Sequence, residues 1–499
     1  MILKTITTLG QLKESGYKSK SIKQELRDNL VAHLRSNKNV FDGILGYEDT
    51  VIPDVERALL SQHNMLLLGL RGQAKTRMAR QMTALLDEWV PFIKGSEIHD
   101  DPLNPISNFG KSEILLNGDD TPIEWLHRDS RYVEKLATPD VSVADLVGDV
   151  DPIKAASLKL AYSDERVIHF GLVPRSHRCI FVINELPDLQ ARIQVALFNM
   201  LQEKDIQIRG FKMRLPLDIQ FVFTANPEDY TNRGSIVTPL KDRIESQILT
   251  HYPKSIEISK QITQQEARIS TEQINVVTVH PLVHDILEQV SFEARKSEYV
   301  DSKSGVSARL TISAYENLVS NCERRAIVNG EENTNARVLD INGIIPAITG
   351  KIELVYEGEQ EGPANVAKIL IGKAIRSLYP AYFPNPDSYK KKKEANPYKE
   401  MIDWFTSGKY VEMILNQTDK AYASTLMEVP GLYEFAKKHQ RGADSKELLL
   451  YMEFVLFALA EFSQISKNEL EGGTLQFKDL MSSMFSFDDN EGEEGGYYE

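Results

Sequence analysis

Cysteine is scarce in this 499-residue chain, which contains only Cys179 and Cys322. A framework of several disulfides and a cysteine-rich zinc site are therefore excluded, because each needs more thiols. Such sparing use of cysteine fits a reducing compartment, so we expect a cytoplasmic protein. Cys179 lies within an apolar run, where we expect it to pack in the core rather than to act as a nucleophile.

Long apolar segments and a surplus of basic residues are also missing. The longest apolar stretch, residues 448–462, contains two glutamates and is shorter than the ~20 residues that cross a bilayer as a helix. We interpret it as a buried helix, and the first residues lack the apolar core of a secretory signal. With 58 basic against 72 acidic residues the net charge is −14, which does not favour binding to nucleic acid or to an anionic membrane.

Several common catalytic motifs are absent as well. The sequence has no HExxH motif, no GxSxG motif and no Cys/His cluster, and His127, His169 and His177 lack the spacing of metal ligands. Metalloproteases, serine hydrolases of that type and zinc enzymes are therefore not expected.

The chain does contain alternating strand-like and helical segments between residues 41 and 254. Short apolar runs at 65–68, 179–183 and 219–224 are separated by helical stretches, a pattern that predicts an α/β domain with a parallel sheet covered on both faces. Within it, residues 205–223 alternate around Arg209-Gly210, which predicts a β-hairpin.

The flanking segments are predicted to be mostly helical. Residues 1–40 have the spacing of an N-terminal helical arm, and residues 255–350 that of a helical lid. Residues 351–486 predict a further, mostly helical C-terminal domain, and the acidic residues 487–499 predict a disordered tail.

A glycine-rich loop follows the first apolar run. The segment Gly-Leu-Arg-Gly-Gln-Ala-Lys-Thr at 69–76 fits the P-loop pattern G-x4-G-K-[ST] except for Ala74 at the second glycine. In such a loop backbone N–H groups bind phosphate, a lysine reaches the β- and γ-phosphates, and the hydroxyl ligates Mg²⁺. A glycine turn opening an ordinary helix is the alternative. The predicted ATP-binding residues are Gly69, Arg71, Gly72, Gln73, Ala74, Lys75 and Thr76.

Polar residues end the next two apolar runs. Asn184 and Glu185 follow 179–183, as in the Walker B arrangement, where a carboxylate lies beside the P-loop. We predict that Glu185 polarises the attacking water and that Asn184, in place of the usual aspartate, is a second metal ligand beside Thr76. The pair could instead cap a helix. Asn226, at the end of the third run, could bind the γ-phosphate or orient water, although Asn-Pro is also a common turn.

Taken together, residues 41–309 resemble AAA+ ATPases of the magnesium chelatase I-subunit/MoxR-like group. The insert at 96–178 and the segment Phe-Gly-Leu-Val-Pro at 170–174 resemble chelatase segments in order and spacing. The resemblance implies a hexameric ring with ATP held between subunits. It also assigns roles to further residues: nucleotide contacts for Ile44, Gly46 and Tyr47, an arginine finger for Arg243, the lid arginine for Arg309, and an interface role for Arg233.

Other interpretations remain open at this point. Arg243 could form a surface ion pair, and Arg309 could be an ordinary cation at a helix start. The leading functional expectation is a Mg²⁺-dependent ATPase ring that remodels or activates a partner protein with a von Willebrand A domain. The alternatives are a metal-chelatase ATPase subunit, a nucleotide-binding assembly module that hydrolyses poorly because of Asn184, and a helicase with a basic hairpin formed by Lys204, Arg209, Lys212 and Arg214.

Overall fold

A computed structural model describes residues 5–160, 165–203, 205–207, 214–227, 235–389, 396–470 and 473–480. The chain divides into two compact units, Met1–Tyr252 and Pro253–Glu499.

A five-stranded parallel sheet forms the centre of the first unit. Its strands are, in chain order, β1 (Met65–Leu68), β2 (Tyr132–Leu136), β3 (Cys179–Asn184), β4 (Ile219–Ala225) and β5 (Ser246–Leu249). Across the sheet the order is β5-β1-β4-β3-β2, and every neighbouring pair is parallel. The predicted α/β class and parallel sheet are confirmed. The three inner strands are completely buried, which explains their uninterrupted apolar runs.

The register of these strands aligns their carboxyl ends. Leu68 at the end of β1 lies opposite Ala225 in β4. Asn184 at the end of β3 lies opposite Leu136 in β2. Residues that follow β1, β3 and β4 therefore meet at one edge of the sheet, which is where ligands bind in open α/β sheets.

Helices cover both faces of this sheet. One face packs against α1 (Ile22–Arg35), α2 (Val51–Leu60) and α3 (Lys75–Gln81), and the predicted N-terminal arm is therefore part of the core. The other face packs against α4 (Ala191–Glu203). The described part of this unit also contains the helices Leu9–Glu14, Asn108–Asn117, Val143–Leu146, Pro152–Leu158, Leu172–Arg175 and Thr238–Lys241, with 3-10 turns at Met82–Leu85, Gly118–Asp120, Arg128–Arg131, Glu165–Val167 and Leu186–Asp188.

Among its described residues the first unit also has three small antiparallel strand pairs. Trp89–Ile93 pairs with Ile123–His127, and Gly148–Val150 pairs with Ile168–Phe170. Asp205–Gln207 pairs with Arg214–Pro216, which confirms the predicted hairpin. The hairpin residues Lys204, Arg209 and Lys212 lie outside the described residues.

A buried ion pair fastens α1 to the sheet. The guanidinium of Arg131 donates to both carboxylate oxygens of Glu25 at 2.7 Å, and its Nε donates to the Arg178 carbonyl at 2.9 Å. Both side chains are at most 4% exposed, so removing one partner would leave a buried, uncompensated charge. Such a loss costs about 3–5 kcal/mol.

The second unit is mostly helical. Its helices are Ile256–Glu266, Thr271–Val276, Pro281–Lys296, Arg309–Asn329, Ile345–Thr349, Tyr356–Glu361, Pro363–Leu378, Lys399–Thr406, Asp419–Met427, Leu432–His439 and α5 (Ser445–Glu461), with 3-10 turns at Leu339–Ile344, Tyr379–Ala381 and Pro386–Tyr389. The helix predicted at 448–462 is present and buried. One hydrophobic core extends through this unit and across the boundary expected near residue 350.

Short strands in the second unit were not predicted. Val411–Ile414, Thr474–Lys478 and Ser466–Leu470 form an antiparallel sheet in that order, and Val277–Thr278 pairs with Thr334–Asn335. No helix of the described residues, in either unit, is long and apolar enough to cross a membrane.

Glu453 is a buried carboxyl at the centre of α5. The backbone N–H groups of Val338 and Leu339 donate to it at 2.7 and 2.9 Å, and the Tyr422 hydroxyl does so at 2.9 Å. Burial nevertheless dominates and raises the pKa of Glu453 to about 7. Between pH 4.5, the ordinary value, and pH 7 the folded chain therefore keeps a proton that the unfolded chain has released.

This proton makes stability fall as pH rises through that window, by up to ~1.4 kcal/mol per pH unit. Replacing Glu453 by Gln removes the titration. We expect the stability advantage of the wild type over Glu453→Gln to be about 3 kcal/mol larger at pH 4.5 than at pH 7.5, measured by urea denaturation. The exposed control Glu434→Gln should show no such change. A wild-type advantage over Glu453→Gln that is independent of pH would contradict the titration.

Candidate active site

The loop at residues 69–74 joins β1 to α3. Gly72 and Ala74 have φ of 71° and 55°, in the left-handed region that costs a residue with a Cβ about 1–2 kcal/mol. Alanine is the smallest residue with a Cβ, so it is the smallest residue to which this penalty applies. A Cβ on Gly69 would collide with the Thr250 hydroxyl and the Gln73 side-chain oxygen, so a larger residue there would displace the hydrogen bond between them.

Four hydrogen bonds fix the loop to its surroundings. The Gly69 N–H donates to the Ala225 carbonyl at 3.1 Å, and the Thr250 hydroxyl donates to Gln73 Oε1 at 2.6 Å. The hydroxyls of Tyr47 and Tyr252 lie 3.2 Å from the carbonyls of Gln73 and Arg71. The carbonyls of Arg71 and Gln73 are thus bound by tyrosine side chains from outside the loop.

The residues predicted to contact the nucleotide near position 44 lie beside this loop. Tyr47 is buried, and burial raises its pKa to about 12; its hydroxyl also lies 2.7 Å from the His251 carbonyl. Ile44 and Ala74 pack on the same core. Gly46 has φ of 79°, and its N–H donates to Glu48 at 3.0 Å.

Lys75 begins α3, and its side chain is folded into the site. Its ammonium donates to the carbonyls of Gly69 and Leu70, the latter at 3.0 Å, and to Asn226 Oδ1 at 2.9 Å. Lys75 is buried. A buried cation in the first turn of a helix that follows a glycine-containing loop is suited to bind a polyphosphate.

Asn226 connects Lys75 to Glu185. Its oxygen accepts from Lys75, and its Nδ2 donates to Glu185 Oε2 at 3.1 Å. Glu185 has a left-handed φ of 54°, and its N–H donates to the Thr224 hydroxyl at 3.1 Å. The three residues predicted from three separate segments thus form one hydrogen-bonded chain.

Thr76 and Asn184 meet on the α3 side of the sheet. The Thr76 hydroxyl donates to Asn184 Oδ1 at 3.3 Å, and the Thr224 hydroxyl donates to the same oxygen at 3.1 Å. Asn184 Nδ2 donates to Glu134 Oε1 at 2.6 Å. Glu134 was missed from the sequence because its strand, β2, was not predicted.

These residues fit a nucleotide with a divalent cation. Backbone N–H groups and the Lys75 ammonium suit phosphate oxygens. The Thr76 hydroxyl and the Asn184 amide oxygen are oxygen ligands of the kind that Mg²⁺ prefers. Among the described residues, no group of three or more His, Cys, Asp and Glu side chains offers another metal site.

The three arginines with predicted roles lie in different surroundings. The Arg243 guanidinium lies 3.8 Å from the centre of the Phe198 ring and donates to the Pro239 carbonyl at 2.8 Å, with 26% of its side chain exposed. Arg309 begins the helix Arg309–Asn329 in the second unit and is exposed. Arg233 lies outside the described residues. The roles of all three stay predictions.

Cys179 packs inside β3, as expected. It is buried, and burial raises the pKa of its thiol to about 12, so the reactive thiolate is not formed near neutral pH.

No family model matches the chain, and no curated protein matches it. Similar solved structures include a putative ATPase from Cytophaga hutchinsonii, with 17% identity, 72% of this chain and 97% of that chain covered, and a TM-score of 0.30. A model of the BchI–BchD complex of magnesium chelatase has 17% identity, 64% and 98% coverage, and a TM-score of 0.31. A RuvB mutant from Thermotoga maritima has 13% identity, 78% and 98% coverage, and a TM-score of 0.34. Identities and TM-scores this low do not establish a family, and the α/β fold assignment follows from the sheet itself.

The left-handed backbone at Ala74 can be tested by stability. Ala74→Gly removes the clash of the Cβ with the backbone, so we expect the free energy of unfolding to rise by roughly 0.5–1 kcal/mol. Ala79→Gly, in the regular part of α3, should instead lower it by about 1 kcal/mol. Urea denaturation of the two variants provides the comparison. Equal losses in both would show that Ala74 is not left-handed.

Proposed function

We propose that the first unit binds ATP at residues 69–76 and hydrolyses it with Mg²⁺. The observation that carries this proposal is the hydrogen-bonded chain from Lys75 through Asn226 to Glu185. It links a phosphate-binding cation to a carboxylate through one amide, at the carboxyl ends of adjacent strands.

Each residue has a defined task in this proposal. Lys75 and the loop N–H groups bind the β- and γ-phosphates and stabilise the charge that develops on them. Asn226 holds Glu185 by one carboxylate oxygen, so the carboxylate is oriented to accept a proton from the attacking water. Thr76 and Asn184 would hold Mg²⁺, which neutralises phosphate charge when bound.

Two substitutions separate binding from hydrolysis. Lys75→Ala removes the phosphate cation, and ATP affinity measured by calorimetry should fall by more than about tenfold. Glu185→Gln keeps the size and the bond to Asn226 but loses the base, so ATP should still bind while turnover falls by roughly 10²–10⁴-fold. An unchanged affinity for ATP in the folded Lys75→Ala variant would refute the assignment of residues 69–76 as a P-loop. Near-normal ATP turnover in Glu185→Gln would show that Glu185 is not the general base.

A second candidate function is a nucleotide-dependent assembly module with little turnover. The neutral amide of Asn184 favours it, because P-loop enzymes usually hold Mg²⁺ with an aspartate. Saturable ATP binding without measurable phosphate release in the wild type would support this alternative over the ATPase.

We further propose that the chain acts as a ring, with Arg243 reaching the nucleotide of a neighbouring subunit, and that the ring remodels a partner with a von Willebrand A domain. The partly exposed position of Arg243 on Phe198 supports a role at a surface, and the partner class follows from the resemblance alone.

An arginine donated by a neighbour acts only between assembled subunits. Because such fingers contribute roughly 10³–10⁵-fold in rate, specific ATPase activity should rise with protein concentration, and Arg243→Ala should bind ATP yet remain slow. Mixing Arg243→Ala with Glu185→Gln should restore some activity, since a mixed interface can combine an intact Glu185 with an intact Arg243. If mixed oligomers form by light scattering but remain inactive, Arg243 does not act across the interface.

A further inference from the structure

The candidate metal site lacks a carboxylate among its two predicted ligands. Thr76 offers a hydroxyl and Asn184 an amide oxygen, and both are neutral. In P-loop enzymes the metal is held by a Ser or Thr together with an aspartate. The two predicted ligands therefore lack the negative charge that an aspartate ligand would bring to the cation.

Glu134 places a carboxylate directly behind Asn184. It comes from the edge strand β2, and its Oε1 accepts from Asn184 Nδ2 at 2.6 Å. Tyr132 and Glu134, two residues apart on that strand, lie on the face where α3 packs: Arg80 of α3 bonds Glu134 at 2.8 Å and lies over the Tyr132 ring. The same face carries Thr76 and Asn184, which are in contact.

The carboxylate determines which way the Asn184 amide points. An ionised carboxylate can only accept hydrogen bonds, so it must face the NH₂ group of the amide. The Asn184 oxygen is thereby turned to the hydroxyls of Thr76 and Thr224. This orientation presents the amide oxygen and the Thr76 hydroxyl at one point.

Glu134 is itself held in position by its second oxygen. The Arg80 guanidinium and the Tyr132 hydroxyl donate to Oε2 at 2.8 and 3.0 Å, which leaves Oε1 to Asn184. Arg80 is 67% exposed and Glu134 only 26%. Within this ion pair the carboxylate is thus the less hydrated partner, and its Oε1 contacts Asn184.

We propose that Glu134 is a positioning residue for a divalent cation bound with the nucleotide: it turns the Asn184 oxygen toward Thr76 and supplies the negative charge that Asn184 lacks. This inference rests on the proposed function, since it concerns the metal of the same site.

The proposal is tested by moving the negative charge from Glu134 in β2 to position 184 in β3. In the double variant Glu134→Gln/Asn184→Asp, the new amide can donate to the new carboxylate, so the hydrogen bond is kept and its polarity is reversed. The readout is the Mg²⁺ concentration that gives half of the Mg²⁺-induced gain in affinity for a fluorescent ATP analogue, measured by fluorescence on the full chain without turnover.

Glu134→Gln should raise this Mg²⁺ concentration by roughly tenfold, since a difference of about 1.4 kcal/mol is a factor of ten. The double variant should return to within about threefold of the wild type. Introducing Asn184→Asp into the wild type should lower the required Mg²⁺ concentration much less than introducing it into Glu134→Gln. In the wild type the new aspartate would contact the Glu134 carboxylate, and two like charges in contact disfavour each other. Glu134→Asp keeps the charge but is shorter by one methylene, so it should have an intermediate effect.

The control Glu124→Gln changes an exposed glutamate in Ile123–His127 and should leave the Mg²⁺ dependence unchanged. Affinity for the analogue in EDTA should be the same in Glu134→Gln as in the wild type. If the wild type binds the analogue through Lys75 but folded Glu134→Gln needs no more Mg²⁺, or the double variant is no better than Glu134→Gln, the role of Glu134 is refuted while the proposed function stands. If the wild type does not bind the analogue at all, the proposed function fails and this inference with it.

Discussion

The hydrogen bond from Lys75 to Asn226 is the contact on which the site depends. It joins the loop after β1 to the end of β4, and it forms because these strands are parallel neighbours with Leu68 opposite Ala225. β4 also adjoins β3, so Asn226 reaches Glu185 with its other amide atom. The strand order thus determines that one asparagine connects the loop at residues 69–74 to the carboxylate.

Local backbone strain accompanies this arrangement. Ala74 and Glu185 both have left-handed φ, at 55° and 54°, where a residue with a side chain is disfavoured by about 1–2 kcal/mol. Such residues persist where their surroundings hold them, and they concentrate at functional sites. The Thr224 hydroxyl accepts from the Glu185 N–H, while the sheet and α3 hold the ends of the loop that contains Ala74. The side chains of Lys75, which follows Ala74, and of Glu185 both bond Asn226.

The inner strands and their terminal polar residues could be predicted from the sequence because complete burial produces uninterrupted apolar runs that end abruptly. The edge strands could not. Tyr132–Leu136 and Ser246–Leu249 have partly exposed residues and mixed composition, so neither periodicity nor apolarity marks them. Because β2 was missed, Glu134 was missed too, although it contacts a residue that was predicted. The role of Arg243 could not be predicted for a different reason. A residue that acts between subunits depends on where a second chain lies, and the sequence of one chain does not give that position.

We propose that Thr76 and Asn184 hold the metal beside a nucleotide bound at Lys75. The most direct measurement is a crystal structure with Mn²⁺ and a non-hydrolysable ATP analogue, using the anomalous signal of manganese to locate the cation. We expect an anomalous peak at coordination distance from the Thr76 hydroxyl, with the β- and γ-phosphates on residues 69–75 and Glu134 still bound to Asn184. A fully occupied analogue whose phosphates lie elsewhere, or a manganese peak away from Thr76, would contradict it.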